Sequence, residues 1–440
     1  MVTAGVYGRG VTSPAAAAHL DGAQGWRIVA VAFTAMFTTF GIAYSFGAFL
    51  LPVSTDLSAG RGPTAAVFSL TTMAFFALGG LSGPAVDRFG PRRVVLVGAA
   101  ALGLGLLLTA RATSLWQAYL GHGLGVGLAV ACCYVPLVAV VGGWFERRRT
   151  VAVGVAVSGI GLGTLVGAPA AAALIEAVGW RDAYLVLGAA GVVVLLGCAA
   201  LVRPAPVAVG TVAVPLLPRL RTRAYVTLYA AGLLLSVALF VPFVHLPAYA
   251  ESRGAGAVAA AALVGVIGAA SVVGRLALGG VADRVGVLRT YQACFLLMAG
   301  SFALWLGAPS YPRLVVFAVL LGVGYGGFVA LGPPLVAEVF GVQGLGALLG
   351  VLYTSAALGS AVGPPVAGLL IGDGEGYGTA VRCALVVLCL AAVLVHRVRP
   401  VPPGLPGLPG LPVLPVLPVE PVDGQDLPAS HGRSPDEPSA

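Results

Sequence analysis

Lysine is missing from this chain: all 24 basic residues are arginine. Any cation the protein uses must therefore be a guanidinium or a histidine. Charge of either sign is scarce, at 9% of 440 residues, where soluble domains carry about 25%. With 59% hydrophobic residues and a mean hydropathy of +0.99, this excludes an ordinary soluble domain and implies a polytopic membrane protein. The +8 net charge is no nucleic-acid footprint, because the arginines gather in short loops, where they report topology. The six cysteines (Cys132, Cys133, Cys198, Cys294, Cys383, Cys389) lack metal-ligand spacing and read as small hydrophobes, not a disulfide framework. Paired carboxylates, metal-ligand clusters and a Ser-His-Asp constellation are also lacking within the apolar runs, so an enzyme is not expected, nor a cofactor or metal. The first 24 residues have no real apolar core, so the first span is expected to act as an uncleaved insertion signal.

What is present is a series of apolar runs. A bilayer crossing needs about 20 residues, and twelve runs qualify: 27–51, 64–86, 94–110, 115–142, 150–176, 181–202, 224–247, 257–282, 288–308, 313–336, 344–371 and 378–397. The loops after even-numbered runs hold twelve arginines, among them Arg92, Arg147 and Arg219, against five after odd-numbered runs (Arg61, Arg111, Arg181, Arg253, Arg313). The positive-inside rule then places both termini in the cytoplasm, and the inner (plasma) membrane is the expected location. The expected organisation is a cytoplasmic segment 1–24, a six-helix bundle 25–202, a Pro/Arg-rich linker 203–223, a second six-helix bundle 224–398 and a tail 399–440. Proline density in that tail predicts polyproline II or disorder.

The two halves echo each other. Asp87-Arg88-Phe89-Gly90 returns as Asp283-Arg284-Val285-Gly286, 196 positions later, and Gly154, Gly163, Gly167 and Pro169 return as Gly350, Gly359, Gly363 and Pro365 at the same offset. Such duplication predicts a transporter, with its substrate site between the halves near the midplane. The glycine rows offer small-residue surfaces on which helices pack closely, either to rock or to stay fixed.

One residue breaks the apolar pattern. Arg275 is the only charge in the stretch from Ala257 to Ala282. A charge at that depth costs about 2.5–3.5 kcal/mol on insertion scales unless it is paired. A guanidinium presents a planar fork that fits a carboxylate. Two readings are open: a receptor for an anion carried across the membrane, or a structural arginine bonded to backbone carbonyls of a neighbouring helix. Gly268, Ser271 and Arg275 share one helical face at spacings of three and four, so Ser271 is a candidate second contact. Tyr44, Tyr119, Tyr134, Tyr325 and Tyr353 are candidates for lining the site.

Gly83-x-x-x-Asp87-Arg88-Phe89-Gly90-Pro91-Arg92-Arg93 resembles the loop 2–3 motif of the major facilitator superfamily, and Gly279-x-x-x-Asp283-Arg284-x-Gly286 resembles a reduced second copy. The resemblance implies an all-α membrane fold of twelve helices in two pseudo-symmetric six-helix bundles. It also implies gating roles for Asp87, Arg88, Asp283 and Arg284. Glu338, near the inner end of span 10, is a further candidate gate partner by its position. Three features resemble the monocarboxylate transporter branch, with its bacterial oxalate/formate-exchanger-like members: Asp21-Gly22-Ala23-Gln24-Gly25-Trp26, the run Trp144-Phe145-Glu146-Arg147-Arg148-Arg149 leading into Gly154, and Gly274-Arg275. His245-Leu246-Pro247 is similar to the bacterial members. There are departures. Ala23 and Gln24 replace Gly and Trp. Ser271 stands where animal members place a proton-accepting aspartate. Tyr44 falls near a span 1 lysine position, and the span 11 lysine of oxalate exchangers is absent. The implied function is secondary active transport of a small monocarboxylate or similar organic anion, with a proton as candidate co-substrate. Histidine titrates near neutrality, so His122, deep in span 4, and His245, near an outer end, are candidate proton carriers. An exporter of drugs or metabolites on the same fold is the alternative. The expected partners are the organic anion, protons and the lipid bilayer, without nucleic acid, and the protein is expected to be a monomer.

Overall fold

The computed structural model describes residues 20–206, 216–307, 310–341, 344–372 and 376–398. The proline-rich tail, most of the N-terminal segment and the middle of the linker lie outside them. The described residues are helical throughout, in twelve spans: α1 Ala23–Asp56, α2 Arg61–Phe89, α3 Pro91–Ala110, α4 Leu115–Trp144, α5 (149–178), α6 (180–201), α7 Arg223–Ser252, α8 Ala257–Val285, α9 Val287–Trp305, α10 Tyr311–Phe340, α11 Leu345–Ile371 and α12 Tyr377–His396. Spans α5 and α6 run on almost without a loop. Gly179, at φ +81°, makes the whole turn between them, a backbone region glycine enters without steric cost. One short helical turn, Leu217–Leu220, precedes α7.

Several spans outrun the apolar runs that predicted them. Nothing breaks the helix before Gly90 or Gly286, so Asp87 and Arg88 end α2, and Asp283 and Arg284 end α8, instead of lying in loops. The two glycines then turn the chain at φ +80° and +100°, which explains why both copies of the motif carry glycine there.

The duplication is visible in the helix breaks. Span α1 breaks at Ser45, just past Tyr44, and α7 breaks at Phe240, before Pro242. Tyr44 and Phe240 are themselves 196 positions apart. Span α4 relaxes to π-helix over Tyr119–Val126 and breaks again at Tyr134, where Pro136 cannot continue the hydrogen-bond ladder.

Outward-facing positions are apolar, as lipid requires: Leu104, Val193, Leu276 and Leu369 are two-thirds exposed. Four cysteines are buried as small hydrophobes, while Cys383 and Cys389 are exposed, and all six are free. Close helix crossings are built on glycine. A Cβ at Gly161 on α5 would sit 2.5 Å from the Gly268 carbonyl oxygen on α8, and one at Gly368 on α11 would sit 2.6 Å from Cα of Gly62 on α2. Both crossings join one half of the molecule to the other.

Candidate functional site

The two halves meet tightly at the end bearing Arg61 and Tyr377 and part at the arginine-rich end. At the tight end, Arg61 Nη1 donates to the Tyr377 hydroxyl at 2.7 Å, with its guanidinium carbon 5.7 Å from that ring centre. At the arginine-rich end, a Cβ at Gly154, Gly279, Gly280, Gly346 or Gly350 would meet nothing within 4 Å. The glycine rows of α5, α8 and α11 thus go from crowded to open along one direction. The candidate gate residues Asp87, Arg88, Asp283, Arg284 and Glu338 are all exposed at the open end, and no ion pair joins them among the described residues.

Between the halves lies a chamber. Its walls come from α1, α2, α4 and α5 on one side and α7 to α11 on the other. Among the described residues, Arg275 is the only charged one lining it. Nη1 of Arg275 donates to the Val157 carbonyl on α5 at 3.0 Å. Nε and Nη2, the other edge of the fork, are buried without a partner. The Tyr325 ring centre is 5.9 Å from the guanidinium carbon. Tyr44 and Tyr325 interact through their hydroxyls, and both they and Tyr134 lie within electrostatic reach of the guanidinium or of one another. Both sequence readings of this arginine therefore hold in part: one nitrogen is structural, and one edge is left for something else. An unpaired buried donor costs about 1–3 kcal/mol, more when charged, so the open edge is a feature a ligand would relieve.

The structure brings Tyr44, Tyr134, Tyr325 and Tyr353 to the chamber with Arg275. It does not bring Ser271 or Tyr119. Ser271 is buried, and its Oγ donates to the Gly268 carbonyl of its own helix at 2.7 Å, in the crossing with Gly161 and Gly326. Tyr119 donates to the Pro63 carbonyl at 2.8 Å, binding α4 to the start of α2. The two histidines also lie away from the chamber lining. His122 is buried inside the first half, its Nδ1 3.0 Å from Thr71 Oγ1 and its ring against Phe46 and Tyr184. His245 Nε2 is 2.8 Å from the Pro364 carbonyl inside the second half. Each is a hydrogen-bonded packing residue in this geometry. Sequence reasoning missed the chamber's phenylalanines, Phe40, Phe75, Phe76, Phe240 and Phe328. The one signal available was the repeat, which pairs Tyr44 with Phe240.

The branch motifs meet at the arginine-rich end. Asp21, in the left-handed region at φ +58°, accepts the backbone N–H groups of Glu146, Arg147 and Arg148 at 3.4, 3.1 and 3.1 Å, while its own N–H donates to the Trp144 carbonyl. Trp26 stacks edge-on against Phe145 at 5.2 Å. The N–H of Arg147 foremost, with those of its neighbours, holds the Asp21 carboxyl below the usual carboxylate range.

Twelve spans in two echoing halves, closed at one end over a chamber with a single charge, make this a membrane transporter. The sequence model of the Major Facilitator Superfamily matches residues 28–309 and 271–422. Monocarboxylate transporter 12-B of Danio rerio is 33% identical over 403 residues, covering 82% of this chain and 83% of that protein. Monocarboxylate transporter 11 of Mus musculus is 31% identical over 374 residues, covering 81% and 83%. Among solved structures, a bacterial homologue of the human lysosomal transporter Spinster, inward-facing and unoccupied, matches at a TM-score of 0.67 with 15% identity, over 85% of this chain and 97% of that one. A variant of the nucleoside transporter NupG matches at 0.69 with 14% identity, over 85% and 99%; these two likenesses speak to the fold. The chain belongs to the major facilitator superfamily, in its monocarboxylate transporter-like branch.

Proposed function

We propose that this protein moves a small monocarboxylate, or a similar organic anion, across the plasma membrane by alternating access. The observation that carries the reading is the open edge of Arg275: Nε and Nη2 buried, unpartnered and part of a chamber with no other charge. A carboxylate accepts two parallel N–H bonds from that edge. The arginine's charge is then neutralised where no carboxylate of the chamber lining does so. With the arginine-rich end in the cytoplasm, the geometry is that of a carrier open inward and closed outward. Rocking about the glycine crossing of α5 with α8 would exchange the two openings.

Coupling to a proton is proposed at the level of the cycle, not of a residue, because His122 and His245 lie outside the chamber lining. Substrate-driven pH change in proteoliposomes measures it, and net uptake without proton movement refutes symport. The decisive experiment on substrate class is uptake of a panel of radiolabelled short acids by the native protein and by Arg275→Ala, with membrane insertion checked in both. Loss of uptake in the variant is expected; normal uptake overturns the assignment. The apolar chamber walls are what favours the second reading, a metabolite or drug exporter. That reading requires efflux of uncharged compounds to survive Arg275→Ala.

A further inference from the structure

Resting on the carboxylate reading of Arg275, we infer that the passenger is an aryl-substituted monocarboxylate: one acid group on a flat apolar ring, in preference to a short aliphatic acid. Ten of the 21 residues lining the chamber are Phe or Tyr, while aromatics make up 8% of the chain. The lining is graded. Tyr44, Tyr134 and Tyr325 cluster with the guanidinium. The phenylalanines, with Tyr291 and Tyr353, make the rest of the aromatic wall, and they come from both halves. Phe76 on α2 stands 6.3 Å from Phe240 on α7 and 6.2 Å from Tyr353 on α11, centre to centre. Phe40 meets Phe75 and Tyr134 edge-on at 5.6 and 5.5 Å.

A planar ring entering this wall gains faces and edges of other rings, the arrangement aromatic groups prefer. A short acid meets only the Arg275 end and forgoes contact with the rings. The charge pattern narrows the class further. An ammonium group on the passenger finds no carboxylate in the lining, and a second acid group finds no second cation. Amino acids and dicarboxylates are therefore disfavoured. Because the wall draws on both halves, a ring packed beside Phe76 and Phe240 touches both moving parts. A short acid at Arg275 is held at the α8–α5 contact alone.

The test uses the full chain in proteoliposomes and a matched pair of probes, phenyllactate and lactate, which differ only by the ring. Radiolabelled phenyllactate should be taken up, and unlabelled phenyllactate should compete at a concentration about tenfold or more below that of lactate, the gain expected from burying one phenyl group. Phe76→Leu, which keeps bulk without the ring, should narrow that preference by about threefold or more, and Phe76→Ala by more still. Equal competition by lactate and phenyllactate in the native protein overturns the aryl inference and leaves the carboxylate reading standing. Transport of neither acid, or phenyllactate uptake that survives Arg275→Ala, overturns both.

Discussion

Arg275 is fixed at one nitrogen and open at the other edge, and that division makes its chemistry testable. Lysine keeps the charge but has no fork. Arg275→Lys can serve the Val157 carbonyl or a substrate carboxylate, not both at once. The expected outcome is residual transport with KM raised about tenfold or more, the loss of one charge-assisted hydrogen bond, where Arg275→Ala gives none. Initial rates over a substrate series check it, and native kinetics in the lysine variant would show that the fork is not used. The arginine was legible in the sequence because an isolated charge in an apolar run has few bland explanations. Ser271 was misread for an instructive reason. Helical periodicity puts it on the same face as Arg275, but it does not say what that face meets. The short hydroxyl ends in the crossing with Gly161, while the long arginine side chain reaches past it to the chamber. Tyr119 sits in the π-helical stretch of α4, where a 3.6-residue wheel no longer assigns faces.

Helices and their joints carry the second level of design. On α5 the same substitution should have opposite consequences seven residues apart, at Gly161 and Gly154. Gly161→Ala drives a methyl group against the Gly268 carbonyl oxygen and Val272. Overpacking of this kind costs about 1–3 kcal/mol, so thermal stability in detergent should fall along with uptake. At Gly154 nothing stands within 4 Å, and alanine should be neutral or stabilising by up to about 1 kcal/mol through helix propensity. Equal effects at both sites would deny that the crossing is tight at one and open at the other. The joint between Asp21 and the segment before α5 makes a pH-dependent counterpart. A carboxyl held below its ordinary range contributes stability above its unfolded pKa, and that contribution is lost as pH falls through the folded value. Asp21→Asn should therefore lower the melting temperature near neutral pH, and the gap to the native protein should close on acidification below about pH 4. A gap that persists in acid would assign the effect to something other than the carboxylate. The sequence showed twelve apolar runs and both branch motifs, yet not that the motifs touch, since Asp21 and Arg147 are joined only by folding. Nor did it show that α2 and α8 carry their motif acids on helix, because hydropathy falls before the helix ends.

At the scale of the molecule, the duplication was legible and the conformational state was not. A fixed offset between halves survives in any state, so Gly90 with Gly286 and Tyr44 with Phe240 could be paired from the sequence. Which end is closed depends on small differences between two sets of contacts, and no periodicity encodes that balance. The structure shows the closure in three contacts between the halves: the backbone crossing of Gly62 with Gly368, that of Gly47 with Phe243, and Arg61 with Tyr377, a cation from the first half hydrogen-bonded to a hydroxyl from the second. A hydrogen bond with one charged partner is worth about 1.5–3 kcal/mol, or roughly 10- to 150-fold in an equilibrium constant. In a carrier poised between two openings, removing it should shift populations and leave the fold intact. Arg61→Ala is expected to enrich the state open at the Arg61–Tyr377 end. Tyr377→Phe, which loses the hydroxyl but keeps the ring under the guanidinium, should produce a smaller shift in the same direction. Distances between spin labels placed across that end of α2 and α12 read the populations directly. An unchanged distance distribution in Arg61→Ala would mean that the glycine crossings, without this hydrogen bond, keep the end shut.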